Sequence, residues 1–300
     1  MNEFACEVRN GLRKPRKELP SKYLYDELGS ALFEAITVLP EYGLTRADQR
    51  VLEKCAPEIA PAFPVIAEFG SGSGRKARVI VEALAPDRYY PIDFSAAALE
   101  RCRRELQGLA QIEPIEASYL NGLDRIPRDD GALLILFLGS TIGNFDPRCR
   151  GDFLRQLRSR LRPGDALLIG FDLIKPLDTM LEAYDDPCGV TASFNLNLLG
   201  RIDRELGGDF DLRAFAHEAR YDHSLNRIEM HLRSRIDQRV TIRDAEFECF
   251  FRAGETIWTE SSHKFDAAEI PEIARQAGFE PEAQWIDREW PFAENLWRAA

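Results

Sequence analysis

Between about residues 50 and 180, short apolar runs alternate with longer stretches whose apolar residues recur every three or four positions. "FPVIAEFG" predicts a strand and "RKARVIVEALA" a helix. "YYPIDFS" predicts a second strand, with Ser95 placed to cap the helix "AAALERCRRELQGL". "IEPIEASYL" predicts a third strand. "GALLILFLG" is almost wholly apolar, as a strand covered on both faces should be. "CRGDFLRQLRSRLR" then predicts a helix and "PGDALLIGFDL" a fifth strand. Repeated strand–helix units predict a parallel, doubly wound α/β sheet. Beyond residue 180 the rhythm changes. "NLLGRIDRELG" reads as helix. "RIEMHLRSRIDQRVTI" and "AEFECFFRAGETIWTESSHKF" alternate at period two, as antiparallel strands do. "AAEIPEIARQAGFEPEAQWID" returns to helix and strand, and the first 48 residues find no place in the sheet pattern. The expected organisation is a sheet domain of residues 49–184 plus 263–300 and a second α+β lobe of residues 1–48 plus 185–262.

Composition narrows the partners. The 300 residues are 45% hydrophobic and 30% charged, ordinary for a globular protein, with a net charge of −11. That balance argues against nucleic acid, which needs a basic surplus. The start lacks an apolar run of signal-peptide length, and no run reaches membrane-spanning length, so no membrane partner is expected. The six cysteines are scattered without a C-x-x-C pair, which suits reduced thiols and a cytoplasmic location. The four histidines show no metal-ligand spacing. No metal is expected, and a monomer is.

The stretch "AEFGSGSGRK", residues 67–76, follows the first strand. Ligands of open α/β sheets sit beyond the carboxyl ends of the strands, at the switch point. Gly70, Gly72 and Gly74 permit a tight turn and close backbone approach. The G-x-x-x-x-G-K-[ST] pattern of a P-loop is absent. A dinucleotide and S-adenosylmethionine both remain open, beside a loop that merely shapes a turn. Glu68 just before the glycines would repel a pyrophosphate and suit a cationic amino-acid tail. Asp93 ends the second strand, where an acid accepts from ribose hydroxyls of either cofactor. "FLGSTIGNF" puts small polar residues and an amide at the tip of the fourth strand, as a substrate beside the reacting group needs.

Four longer segments are more specific: "SKYLYDELGSALFEAITVLPEYGLTRAD", "FLGSTIGNFDP", "DLIKPLDTMLEAYDDPCGVTASFNLNLLGRIDRELGGDFDL" and "GETIWTESSHKF". Together they resemble the histidine Nα-methyltransferases of ergothioneine biosynthesis, over about residues 20–280. The resemblance implies a class I S-adenosylmethionine-dependent methyltransferase domain, Rossmann-like, with a second lobe for the amino acid. It implies trimethylation of the α-amine of L-histidine to the betaine hercynine. Its cofactor contacts fall on Gly70, Lys76 and Asp93, and its adenine-flanking pair on Ser118 and Tyr119, where the family commonly has Asp and Phe. Its substrate positions fall on Tyr25, Phe33, Tyr42, Gly139, Thr141, Asn144, Tyr184, Met230, Glu260 and Ser262. It assigns Asn144 and Tyr184 to the amino-acid backbone, and Glu260 and Ser262 to the imidazole.

The residue types suit these roles. An amide offers a donor and an acceptor, and a carboxylate with a hydroxyl can serve the two unlike nitrogens of an imidazole. Asn144 is the expected catalytic positioner. Tyr25, directly or through water, is a candidate for removing the amine proton. Three rival readings are another aromatic amino acid such as tryptophan as substrate, a catalytically silent binding protein on the same fold, and, more distantly, a nicotinamide dehydrogenase.

Overall fold

The apolar runs form the middle of one eight-stranded sheet in the computed structural model, which describes residues 2–59, 63–128 and 131–299. Leu133–Phe137 and Ala166–Asp172 are buried at every position, and Val65–Phe69 at all but its first, as parallel strands covered on both faces must be. Val65–Phe69 pairs in parallel with Arg88–Asp93 on one side and Leu133–Phe137 on the other. Leu133–Phe137 pairs in parallel with Ala166–Asp172. The chain thus moves outward from its first strand and then crosses back. That reversal opens a crevice at the carboxyl ends of Val65–Phe69 and Leu133–Phe137. Phe292–Ala299 runs antiparallel beside Ala166–Asp172, and Phe279–Asp287 antiparallel beside Phe292–Ala299. Phe69, Phe137, Phe171 and Trp297 lie at the centre of the core. The helix Ala96–Glu105 starts where Ser95 accepts from the Ala98 amide at 3.2 Å, as its position in the sequence predicts.

The expected third strand is different. Gln111–Ile112 and Ile115–Glu116 are two short strands, each paired in parallel with Arg88–Asp93, and Tyr119–Leu123 is a helix. Pro114 stands between the two pieces and has no N–H for the ladder, so the run cannot continue as one strand.

Two compact units emerge: Leu44–Ile174 with Lys264–Ala300, and Met1–Gly43 with Lys175–His263. Their borders fall at 43/44, 174/175 and 263/264, where 48/49, 184/185 and 262/263 are expected, and the first two shifts have packing reasons. The helix Leu44–Cys55 buries Leu44, Ala47, Val51 and Leu52 and packs on the two C-terminal strands. The helix Leu177–Glu182 packs on Phe215–Asp222, which carries Tyr184 into the second unit.

That second unit holds a four-stranded sheet ordered Lys17–Glu18, Thr256–His263, Arg227–Ser234, Phe215–Asp222. The helix Val190–Leu206 packs on it and on the helix Glu27–Ile36. It begins well before the predicted "NLLGRIDRELG", because it buries Thr191, Asn195 and Asn197 and so hides its apolar rhythm. The long period-two runs are each cut by turns. Gln238–Ile242 leaves the Arg227–Ser234 strand to form a separate hairpin with Phe247–Phe251.

Candidate active site

In the sheet unit the predicted cofactor residues stand at and around the strand tips. Gly70, Gly72 and Gly74 all take positive φ, at 69°, 51° and 79°. A side chain on Gly74 would strike Cys102 Sγ at 2.8 Å, so that glycine serves helix packing. A side chain on Gly72 would meet nothing within 4 Å, so this is the place where the loop faces open space. The Asp93 carboxylate is aimed by two main-chain amides: Gly72 N donates to it at 3.3 Å and Ser95 N at 2.9 Å. Glu68 is buried and accepts from the Tyr89 hydroxyl. Burial pushes its carboxyl up to about 8, so before a cationic group arrives it is largely neutral at pH 7.

Lys76 Nζ lies 2.8 Å from Asp48 Oδ2, and a side chain on Gly139 would come within 2.6 Å of that ammonium. Lys76 therefore reaches from the start of the glycine-loop helix to the tip of Leu133–Phe137. Behind it, Asp48 and Glu294 are both fully buried. Burial, reinforced by Asp48, holds the Glu294 carboxyl well above the carboxylate range, so Glu294 carries a proton. Ser118 precedes the helix Tyr119–Leu123 without capping it through its side chain. The Tyr119 ring stacks on Phe69 at 5.2 Å, and its hydroxyl would touch a side chain at Gly70.

The loop after Leu133–Phe137 turns at Gly139 and at Ser140, whose φ is 60°. Ser140 Oγ accepts from the Asp172 amide at 2.8 Å, which holds this left-handed residue. Thr141 Oγ1 donates to the Leu138 carbonyl at 3.2 Å, and Thr141–Asn144 forms a single 3-10 turn. Asp172 itself is clamped by Lys264 at 2.7 Å in a buried ion pair. The turn that presents half-buried Asn144 is thus pinned from one side.

The second unit gathers the other predicted residues on Thr256–His263 and around it. A bulge at Thr259 shifts the register between Trp258 and Glu260, and Thr259 Oγ1 donates to the Met230 carbonyl at 3.0 Å. Past the bulge, Glu260 and Ser262 share one face, both buried, with Met230 directly opposite Glu260. The Tyr25 hydroxyl approaches Glu260 Oε1 at 3.5 Å, and the Tyr184 hydroxyl donates to Ser262 Oγ at 2.7 Å. Each polar residue assigned to the imidazole is therefore met by one tyrosine hydroxyl. The rings of Tyr25, Phe33, Tyr42 and Tyr184 follow one another at centroid distances of 5.5, 6.4 and 6.3 Å.

Phe194 completes this aromatic wall, 5.4 Å from Tyr25 and 6.0 Å from Phe33, and the sequence reading misses it. It also misses Asp26, which caps Glu27–Ile36 through the Gly29 amide and is bonded by Asn197 and Arg204. Asp48 and Glu294 are missed as well. A polar residue in "GLTRADQR" followed far downstream by one in "FAENLW" leaves no local pattern. The one available signal was "TASFNLNLL", an aromatic between small and polar residues on a helix.

Among the described residues no group of His, Cys, Asp and Glu could hold a metal ion, and no helix is long and apolar enough to cross a membrane. Residues 4–299 match the model of a family described as histidine-specific methyltransferase, SAM-dependent. The chain is 41% identical to a histidine N-alpha-methyltransferase of Mycobacterium tuberculosis, over 97% of this chain and 93% of that protein. It is 30% identical to ergothioneine biosynthesis protein 1 of Schizosaccharomyces pombe, over 88% of this chain but 36% of that longer protein. It is 28% identical to an L-tryptophan methyltransferase of Psilocybe serbica, over 93% and 88% of the two chains.

Proposed function

The chain belongs to the family of histidine-specific, S-adenosylmethionine-dependent methyltransferases, its reaction is methylation of the histidine α-amine to hercynine, and we propose the following division of that work among its residues. The sheet unit holds the methyl donor. Gly70 and Gly72 admit it close to the main chain, Asp93 accepts from its ribose hydroxyls, Lys76 faces its carboxylate, and Ser118 and Tyr119 flank its adenine. The residues present fit such a group: Gly72 faces open space, and the Asp93 carboxylate is aimed beside it by two amides. Bound there, S-adenosylmethionine supplies an electrophilic methyl group on a positively charged sulfur. Glu68 ionises beside the donor's ammonium and gives up its proton.

The other unit reads the amino acid. Glu260 accepts from one imidazole nitrogen and Ser262 serves the other, with Met230 packed opposite Glu260. Tyr184 and Asn144 are each assigned to the amino-acid backbone of the substrate, because a fixed amine is most of what this displacement requires. Gly139 and Thr141 are small residues at the tip of Leu133–Phe137, as a group that grows by three methyls needs. Phe33 and Tyr42 offer ring faces to the permanent cation that results. Tyr25 takes the amine proton directly or through water. The reading extends to a monomer in the cytoplasm, where the free cysteines stay reduced.

One observation carries the choice of histidine: Glu260 and Ser262 stand side by side, each met by a tyrosine hydroxyl, on a buried strand face. An indole has one donor and no acceptor and would leave part of this set unpaired. The test is incubation with S-adenosylmethionine and each of the twenty amino acids in turn, read by mass spectrometry. Trimethylated histidine is expected. Methylated tryptophan with unmodified histidine, or no product at all, would overturn the reading.

A further inference from the structure

Behind Tyr184, in the unit of Met1–Gly43 and Lys175–His263, stand a buried amide and a mostly buried imidazole with no role so far. Asn195 is fully buried on the helix Val190–Leu206. Its Nδ2 donates to the His231 carbonyl at 3.1 Å and lies 2.9 Å from His217 Nδ1. His217 Nε2 lies 2.7 Å from the Tyr184 carbonyl oxygen. The Tyr184 hydroxyl in turn donates to Ser262.

The two carbonyl oxygens settle every proton in this series, because a carbonyl only accepts. The His231 carbonyl requires the nitrogen of the Asn195 amide on its side. The second N–H of that amide then points to His217 Nδ1, which must accept. The Tyr184 carbonyl requires a proton on Nε2. His217 is therefore neutral, with its single proton on Nε2. Burial favours the same form and holds the imidazole below its ordinary range, against the pull of Asp185, Asp186 and Glu218. Of these, Asp185 is exposed, and the other two have partners of their own. Asp186 accepts from the Val190 and Thr191 amides, and Glu218 is paired with Arg220 and Arg233. From the neighbouring strand, Leu232 lies opposite His217, and the His231 ring turns to Glu229.

We propose that His217, kept neutral by Asn195, is a positioning residue for histidine methylation: it fixes the main chain at Tyr184 and thereby the Tyr184–Ser262 hydroxyl pair. The proposal rests on the assignment of those two residues to the substrate. It has a consequence for pH. Protonation would set a hydrogen on Nδ1 against the Asn195 N–H. The amide cannot turn to relieve this without placing its oxygen against the His231 carbonyl. Acid should therefore loosen the grip on the amino acid while leaving the methyl donor's site alone.

The experiment measures KM for L-histidine, kcat and donor Kd between about pH 5.5 and 9 for wild type, His217→Phe, His217→Gln and Tyr184→Phe, with melting temperatures alongside. His217→Phe keeps the bulk and loses both bonds. It should raise KM about tenfold with donor Kd unmoved. His217→Gln keeps a neutral donor and acceptor. It should recover most of that loss at alkaline pH. The ratio of wild-type to His217→Gln KM should rise as the pH falls, the substrate's own titration cancelling in the ratio. A raised KM in Tyr184→Phe with no change in His217→Phe would overturn the role of His217. An unchanged KM in Tyr184→Phe would overturn the substrate assignment beneath it. If His217→Phe does not fold, the ratio decides alone: a flat one overturns the proposal.

Discussion

Glu260 meets Tyr25, lies opposite Met230 and shares its strand face with Ser262. Removing its carboxylate should weaken histidine far more than tryptophan, because only the imidazole, with a donor and an acceptor, can engage Glu260 and Ser262 together. A lost bond to a charged group is worth about 1.5–3 kcal/mol, so Glu260→Ala should lower kcat/KM for histidine ten- to a hundredfold. The ratio of histidine to tryptophan kcat/KM is the measure, and an unchanged ratio would show that Glu260 does not read the side chain. Asp93 answers to the other ligand. Its carboxylate is oriented by Gly72 N and Ser95 N before any ligand arrives. Asp93→Asn should weaken donor binding by about ten- to a hundredfold in calorimetry, with KM for histidine little changed.

At the scale of elements, Asp26 does several things at once. Oδ1 caps Glu27–Ile36 through Gly29 N and accepts from Asn197, while Oδ2 pairs with Arg204 at 2.6 Å. One carboxylate thus fixes the helix that carries Phe33, and the neighbouring Tyr25, onto Val190–Leu206. Asp26→Ala should lose a cap, about 1 kcal/mol, together with the anchoring bonds. Thermal unfolding should register that loss, and KM for histidine should rise as the aromatic wall loosens. The sheet was legible because its strands are continuous apolar runs between turn residues. The third strand departs from its expectation because Pro114 interrupts a run whose composition otherwise suits a strand. Val190–Leu206 is longer than its apolar rhythm suggests because Asn195 and Asn197 are polar yet inside. For the site, the glycine loop and Asp93 follow from position alone. Glu260, Ser262 and Tyr184 needed the family resemblance. Asn195, His217, Asp48 and Glu294 were invisible, since a buried polar residue declares itself only when its distant partner is in place.

The whole molecule carries opposing buried groups, and its stability should peak between them. Glu68, raised to about 8, and Glu294, also raised by burial, contribute stability below the unfolded value of about 4.5 and lose it as pH rises through their folded values. His217 and His231 are held below the ordinary 6.5, so their contribution is present above that value and lost as pH falls. The ligand-free protein should therefore melt highest in mildly acidic buffer and decline toward pH 9, by up to about 1.4 kcal/mol per pH unit for each acid forced to ionise. Glu294→Gln, which imitates the protonated acid, should flatten that alkaline decline in a pH series of melting curves. The order of the strands bears also on how such a chain is made. Phe292–Ala299, paired along the whole of Ala166–Asp172, follows it in the chain by more than a hundred residues. Until it emerges, Ala166–Asp172 is an edge strand, apolar up to its final aspartate and with amides unpaired on that side, which is a template for another chain. Synthesis of this protein therefore passes through an interval of exposure lasting more than a hundred codons, in which a chaperone has one identifiable strand to shield.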